Sequence, residues 1–180
     1  MVIDLPIIDK GLKIGKINVK TKEINVYTDN SIYFTCTSKV DCCSRMRIPV
    51  SEFDISKIEE HGYELDQIIQ ELSPVFIQSK SPNQGKEKVY LLKKKPFDQT
   101  CTFLNNTLCE IHEFKPFACK IYPFSLDFLE NNDIEILIHT EQLCRSIKSA
   151  STEESNNYFI LNNILKMILE EVEMRNIIIE

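Results

Sequence analysis

The chain has 180 residues, of which 43% are hydrophobic and 27% are charged, which is typical of one globular domain with its own core. Its net charge of −6 argues against broad nucleic-acid binding, which needs a basic surface to neutralise phosphates. Apolar runs such as 134–138 are far shorter than the roughly 20 residues of a membrane-spanning helix. The acidic amino terminus lacks the pattern of a secretory signal, so we expect a cytoplasmic protein without membrane association.

The first third of the chain has the composition of β-strands. Residues 11–20 and 23–27 are short Val- and Ile-bearing segments, which predict two strands. After the turn-type residues 28–31, the apolar segment 32–34 predicts a third strand. The first cysteine, Cys36, is therefore expected at the end of a strand.

Two helices are predicted in the middle of the chain. Ser51 and Asp54 have the spacing of a capping box, in which each side chain accepts a hydrogen bond from the backbone amide of the other residue. A helix is expected to begin there and to end at Gly62, which readily adopts the left-handed conformation found after helices. A second helix is predicted over 64–72, and a strand over 88–94.

The last third of the chain predicts one buried strand and one long helix. Residues 133–139 alternate Ile with other side chains, and residues 153–175 have apolar side chains at spacings of three and four. Such a helical stripe usually packs on a core, and docking of a partner is the alternative. The predicted fold is a small single α+β domain over 1–180, with short strands, two mid-chain helices and a long carboxy-terminal helix.

Cysteine is the residue type with the clearest functional signal. An odd number of cysteines cannot pair completely within one chain, and disulfides are uncommon in the cytosol, so metal ligation is favoured. Disulfides stay an alternative, because intracellular proteins of hyperthermophiles contain them and this chain is rich in Lys, Glu and Ile. The candidate metal ligands are all seven cysteines: Cys36, Cys42, Cys43, Cys101, Cys109, Cys119 and Cys144.

The spacing of the cysteines indicates an irregular site. Cys42 and Cys43 are adjacent, so in a strand they would point to opposite faces, and the backbone has to turn there if both serve one ion. Residues 105–106 predict a turn that brings Cys101 and Cys109 to one end of a hairpin. The chain lacks the paired C-x2-4-C elements of zinc ribbons and the repeated C-x2-C of bacterial ferredoxins. The spacing therefore predicts a fold-assembled site for zinc or an iron–sulfur cluster.

The three histidines are isolated in the sequence. His112 follows Cys109 by three residues and is a candidate additional ligand, with an exposed ring as the alternative. His61 is expected at a helix end, where a positive charge suits the helix dipole, and His139 is expected to be structural. None of them forms an H-E-x-x-H or H-x-E element, so a hydrolytic zinc site is not predicted.

Two blocks of the sequence resemble a known family. The matching segments are F-T-C-T-S-K-V-D-C-C at 34–43, C-T-F-L at 101–104, C-E-I-H at 109–112 and K-P-F-A-C-K-I-Y-P-F at 115–124. They resemble the YkgJ-type cysteine-cluster family, which is described as zinc- or iron-chelating. The resemblance extends over about 32–144, places Cys144 at the family's last cysteine, and implies that this region is the metal-binding core.

The chain departs from the family pattern at three positions. Lys39 stands where the family has its second cysteine, so one expected ligand is missing. The resemblance then implies one intact four-cysteine site, or a site that recruits His112 or a carboxylate. Lys115 and Lys120 replace two arginines beside Cys119, where their positive charge is expected to lower the pKa of that thiol. They lack the planar fork with which arginine binds anions.

The resemblance implies metal binding more clearly than it implies a reaction. We favour an iron–sulfur cluster over zinc, in a protein that acts as an interaction or maturation module with protein partners. One alternative is an S-adenosylmethionine-dependent protein-lysine methyltransferase, because flagellin lysine N-methylases have a similar cysteine block. The chain contains no glycine-rich nucleotide loop to support that alternative. A zinc-stabilised structural subunit is a further alternative, and whether the protein is an enzyme stays open.

Overall fold

The computed structural model describes residues 11–27, 32–34, 41–78, 86–129, 132–138, 147–149 and 157–175. Strands and helices are both present, so the α+β prediction is confirmed. In chain order the elements are β1 (Leu12–Asn18), β2 (Glu23–Val26), β3 (Ile32–Phe34), α1 (Asp41–Arg45), β4 (Pro49–Val50), α2 (Glu52–Glu59), α3 (Leu65–Ile68), β5 (Val75–Gln78), β6 (Lys86–Leu91), β7 (Leu104–Asn105), β8 (Leu108–Cys109), α4 (Phe117–Ile121), β9 (Phe124–Phe128), β10 (Asp133–Ile138), β11 (Ile147–Ser149) and α5 (Asn157–Met174).

The described residues form two compact units. Residues 41–78 and 86–122 belong to unit 1, and the other described residues belong to unit 2. The prediction of a single domain over 1–180 stays a prediction. None of the helices in the described ranges is long and apolar enough to cross a membrane.

Unit 2 is an antiparallel sheet covered by the long carboxy-terminal helix. The strand order is β2-β1-β10-β9, and β3 pairs with β11 in a separate two-stranded sheet. Ile17 and Ile134 are paired across β1 and β10, and both are fully buried. Leu165 and Ile168 of α5 are also fully buried, so the apolar stripe of this helix belongs to the core. The prediction that the stripe packs on the core is confirmed, and the stripe is not available for docking a partner.

Unit 1 has a three-stranded sheet and short helices around its own core. The strand order is β4-β6-β5, and β7 and β8 form a separate hairpin. The helix predicted from the capping box is α2: the Asp54 amide donates to Ser51 Oγ at 3.2 Å, and the Ser51 amide donates to Asp54 Oδ2 at 3.1 Å. Gly62 has the predicted left-handed conformation, with φ +88°, but α2 already ends at Glu59 and Gly62 is the last residue of the turn 60–62 that follows it.

The prediction of a second helix over 64–72 is wrong about its length, because α3 spans only Leu65–Ile68. Ile69 is extended, with φ −108° and ψ 151°, and forms a β-bridge with Leu92. The amide of Gln70 donates to Leu91 O at 2.8 Å, and the amide of Lys93 donates to Ile68 O at 2.8 Å. The backbone of 68–70 therefore pairs with 91–93 instead of continuing the helix. This pairing joins distant segments, so the local sequence could not predict it.

Gly15 is required by the close approach of α5 to β1. A Cβ at this position would lie 2.6 Å from Leu165 Cδ2 and 2.8 Å from Asn25 O. We predict that Gly15→Ala lowers the free energy of unfolding by about 1–3 kcal/mol, because the added Cβ overlaps the backbone carbonyl of Asn25 in β2 as well as the Leu165 side chain. Urea denaturation followed by circular dichroism measures this change. Lys20→Ala, at an exposed residue of unit 2, is the control, and equal stability of the two variants would contradict the predicted packing.

Candidate metal centre

Five cysteines lie in unit 1, although they are far apart in the sequence. Cys42 and Cys43 are in α1, so the backbone turn expected at this pair is helical. Cys101 forms a β-bridge after the chain reverses beyond β6, Cys109 ends β8, and Cys119 is in α4. The other two candidate ligands, Cys36 and Cys144, lie outside the described residues, as do Lys39 and His139.

Backbone contacts bring the first and second cysteine blocks together. The amide of Cys101 donates to the carbonyl of Cys43 at 2.8 Å, which attaches α1 to the segment after β6. The β7–β8 hairpin pairs Leu104 with Cys109, as expected from the turn at 105–106. Asn106 has φ 54°, a left-handed conformation that asparagine tolerates better than most residues.

Four of the five cysteines pack on one hydrophobic core. We call this cluster the unit 1 core, and its buried members are Ile48, Val50, Ile55, Ile58, Ile68, Ile69, Leu92, Cys101, Phe103, Leu104 and Ile111. Cys101 is itself a buried member, and Cys43, Cys109 and Cys119 are half-buried against the core. Cys42 is half-buried but is not part of this cluster, and its Sγ lies 3.9 Å from Cys43 Sγ.

Burial and mutual proximity oppose ionisation of most of these thiols. Burial raises the pKa of Cys101, Cys109 and Cys119, and neighbouring cysteines raise it further in each case. The side-chain hydrogen bond between Cys42 and Cys43 lowers the pKa of Cys42 to about 6 and raises the pKa of Cys43. These thiols lie close enough to affect one another's pKa values. If all of them were deprotonated, their charges would repel one another unless a cation compensated them.

The lysines near the cysteines have a weaker effect than expected. Lys115 acts to lower the pKa of Cys119, but burial outweighs it and the pKa of this thiol is raised. The prediction that flanking lysines lower the pKa of Cys119 is therefore wrong in its net direction. Lys94, which the sequence did not single out, acts in the same sense on Cys101 and lies opposite it in a β-bridge.

The histidines of unit 1 differ in their surroundings. His61 stacks on Phe114 with ring centroids 3.7 Å apart, and its Nδ1 lies 2.9 Å from Lys57 O, so this ring has the structural place at a helix end that was expected. His112 is exposed, and its amide donates to Cys109 O at 3.2 Å in a turn. Its role as a replacement ligand stays a prediction.

Soft thiolates are suitable donors for zinc and for iron–sulfur clusters, so the cysteines gathered in unit 1 fit either group chemically. In the part of the chain that the structure describes, no three His, Cys, Asp or Glu side chains converge closely enough to hold a metal ion. The sulfurs are thus neighbours without forming a coordination polyhedron.

Several neighbouring thiols in one unit are typical of cysteine-rich metal-binding proteins. Residues 35–154 match the model of the CxxCxxCC family, described as "Putative zinc- or iron-chelating domain". The match includes more than half of the chain, and the protein belongs to this family. The resemblance to zinc- or iron-chelating cysteine-cluster proteins is confirmed.

A relative comes from the archaeon Methanocaldococcus jannaschii (strain ATCC 43067 / DSM 2661 / JAL-1 / JCM 10045 / NBRC 100440). It is named "Uncharacterized protein MJ0939" and is 29% identical over 150 residues. The alignment covers 79% of this chain and 46% of the relative, so the chain spans about half the length of that protein. No solved structure matches the chain.

The side-chain hydrogen bond with Cys43 lowers the pKa of Cys42 and favours its thiolate form at neutral pH. Above about pH 6 this thiol is mostly ionised in the metal-free protein, and below it the thiol is protonated and unreactive. We predict that limiting iodoacetamide at pH 7 alkylates Cys42 first, and that the rate falls as the pH drops through about 6. Peptide mass spectrometry locates the label, and Cys42→Ser is the control. Faster alkylation of Cys101 or Cys119 would contradict this assignment.

Proposed function

We propose that the protein holds one zinc ion or one iron–sulfur cluster through four cysteines. The proposed ligands are the four that belong to or contact the unit 1 core, namely Cys43, Cys101, Cys109 and Cys119. Their common packing is the observation that carries this proposal, because four thiolates are the donor set of structural zinc sites and of [4Fe–4S] clusters. Family membership supports zinc or iron chelation in general, and the ligand set is our inference.

The electrostatics of the thiols makes metal binding depend on pH. Thiols whose pKa is raised by burial and by one another release protons when a metal binds, so metal affinity increases with pH. Since the described side chains do not converge on a common point, binding has to draw the sulfurs together. Metal binding is therefore expected to order and stabilise the segments that carry the ligands.

An iron–sulfur cluster is the occupant we favour. The proposed ligands come from a helix, a bridge, a hairpin and a second helix, whereas structural zinc sites usually take ligands in closely spaced pairs. A fold-assembled set of single cysteines can serve a cluster, whose sulfide ions occupy the space between the irons. Zinc is the alternative occupant, and both are consistent with the family.

Substitution of the proposed ligands tests the site. We predict that Cys101→Ser and Cys119→Ser lose most of the bound metal, whereas Cys42→Ser retains most of it, because Cys42 is a described cysteine that does not pack on the unit 1 core. Anaerobic purification, elemental analysis and an absorption spectrum measure the occupant. Iron with sulfide and a brown colour indicates a cluster, and stoichiometric zinc without colour indicates a zinc site.

The matched controls decide the ligand set. Loss of metal from Cys42→Ser equal to that from Cys119→Ser would refute the four-cysteine assignment. Full metal content in both Cys101→Ser and Cys119→Ser would refute the site itself.

A role as an interaction module is supported by Phe97, which is 98% exposed at the tip of a well-ordered turn. The amide of Lys95 donates to Thr100 O at 2.8 Å, and the Thr100 amide and hydroxyl donate to Asp98 Oδ1 at 3.0 and 2.8 Å. Phe is among the residue types that are enriched in protein interfaces. We infer that Phe97 inserts into a pocket of a protein partner of the metal centre.

Site-specific photo-crosslinking tests this docking role. A photoreactive phenylalanine analogue at position 97 is expected to crosslink one protein species in cells. The same analogue at position 72, where Leu72 is 76% exposed in the same unit, is the matched control. Crosslinking of the same species at both positions, or at neither, would contradict a specific role for Phe97.

The methyltransferase alternative and the alternative of a zinc-stabilised structural subunit stay predictions from the sequence. Neither is favoured by a particular feature among the described residues.

A further inference from the structure

Asp54 is a buried carboxylate that connects two helices of unit 1. Asp54 is only 4% exposed to solvent. Oδ2 accepts hydrogen bonds from the Ser51 amide at 3.1 Å and from the Ser51 hydroxyl at 2.8 Å, at the start of α2. Oδ1 accepts from the amide of Phe117 at 2.9 Å, at the start of α4. A buried carboxylate is costly unless donors satisfy it, and these three donors do so.

The contact with Phe117 gives α4 a cap that its own sequence does not contain. The residue before this helix is Pro116, which has no side-chain hydrogen bond to the helix. The first helical amide is instead bound by Asp54, a residue 63 positions away in the chain. A carboxylate at a helix start is favourable both as an acceptor for a free amide and as a charge facing the positive end of the helix dipole.

A short helix depends on such external contacts. Helix α4 has only five residues, and isolated helices shorter than about 12–15 residues are marginal in water. Its first residue is Phe117, and Cys119 is the third, with its amide donating to Pro116 O at 2.9 Å. A displacement of the first amide therefore moves the cysteine within the same helical turn.

We propose that Asp54 is a positioning residue for the metal centre, holding the start of α4 so that Cys119 stays beside the other cysteines of the unit 1 core. This inference rests on the proposed function, because it requires Cys119 to be a ligand. Asp54 does not contact the metal: it acts on Cys119 through the Phe117 amide. Residues that orient metal ligands in this way typically change metal affinity 10–100-fold when they are substituted.

Two variants at the α2 start separate positioning from general stability. Asp54→Ala removes the acceptor for both helices. Ser51→Ala removes the hydroxyl that caps α2 but keeps the bond between Asp54 and Phe117. We expect Asp54→Ala to weaken zinc binding at least about tenfold in a chelator competition, and Ser51→Ala to weaken it less than about threefold.

A second pair of variants removes the donor instead of the acceptor, and remains informative if Asp54→Ala does not fold. Phe117→Pro eliminates the amide at the first helical position, where proline is tolerated, and Phe117→Ala keeps the amide while removing the ring. We expect Phe117→Pro to bind zinc at least about tenfold more weakly than Phe117→Ala. The intensity of the thiolate-to-Co²⁺ charge-transfer band, measured with Co²⁺ as the probe, is expected to fall in Phe117→Pro for the same reason.

The outcomes separate this inference from the proposed function. If Cys119→Ser retains the metal, the proposed ligand set is wrong and the positioning role fails with it. If Cys119→Ser loses the metal while Asp54→Ala and Phe117→Pro bind as tightly as their controls, only the positioning role is overturned. Affinity that falls in proportion to the urea midpoint in all four variants would also overturn it, because Asp54 would then act only on stability.

Discussion

The burial of thiols against an apolar core is the constraint on which the proposed centre depends. Cys101 is part of the unit 1 core, and its amide holds the carbonyl of Cys43, so the same contacts stabilise the unit and gather its sulfurs. Burial raises the pKa of Cys101, Cys109 and Cys119, and deprotonated thiols would repel one another in this neighbourhood. A bound cation removes this conflict. The core therefore supplies the location of the donors, and the proposed metal would offset the charge of the thiolates that bind it.

The elements that carry the cysteines are too short to be stable alone. Helices α1 and α4 have five residues each, and strands β7 and β8 have two. Their placement comes from contacts between distant segments, such as the bond from Phe117 to Asp54. Unit 2 is different, because β1, β10 and the 18-residue helix α5 are regular elements with continuous buried faces. The described cysteines, and with them the proposed metal centre, thus lie in the less regular unit, where tertiary contacts do most of the positioning.

Structural features that depend on neighbouring residues, such as a helix cap and a turn, were predicted correctly. Features that depend on contacts between distant residues were not. The capping box at Ser51 and the turn at 105–106 involve neighbouring residues, so they could be recognised directly. The helix 64–72 was predicted too long because Ile69 pairs with Leu92, a residue that follows two further strands. The net direction of the pKa shift of Cys119 was also missed, since the charge of Lys115 is visible in the sequence and the burial that outweighs it is not.

The sequence by itself determined the α+β composition, the candidate cysteines, the missing cysteine at Lys39 and the resemblance to zinc- or iron-chelating proteins. The first two follow from residue identity, spacing and periodicity, and the last two follow from the likeness of the cysteine blocks to a known family. None of them needs knowledge of distant contacts. Only the tertiary structure decided which cysteines share a core, which thiol has its pKa lowered, and that Asp54 caps a second helix. The reason is physical: burial, thiol repulsion and capping across 63 positions depend on how separate segments pack together.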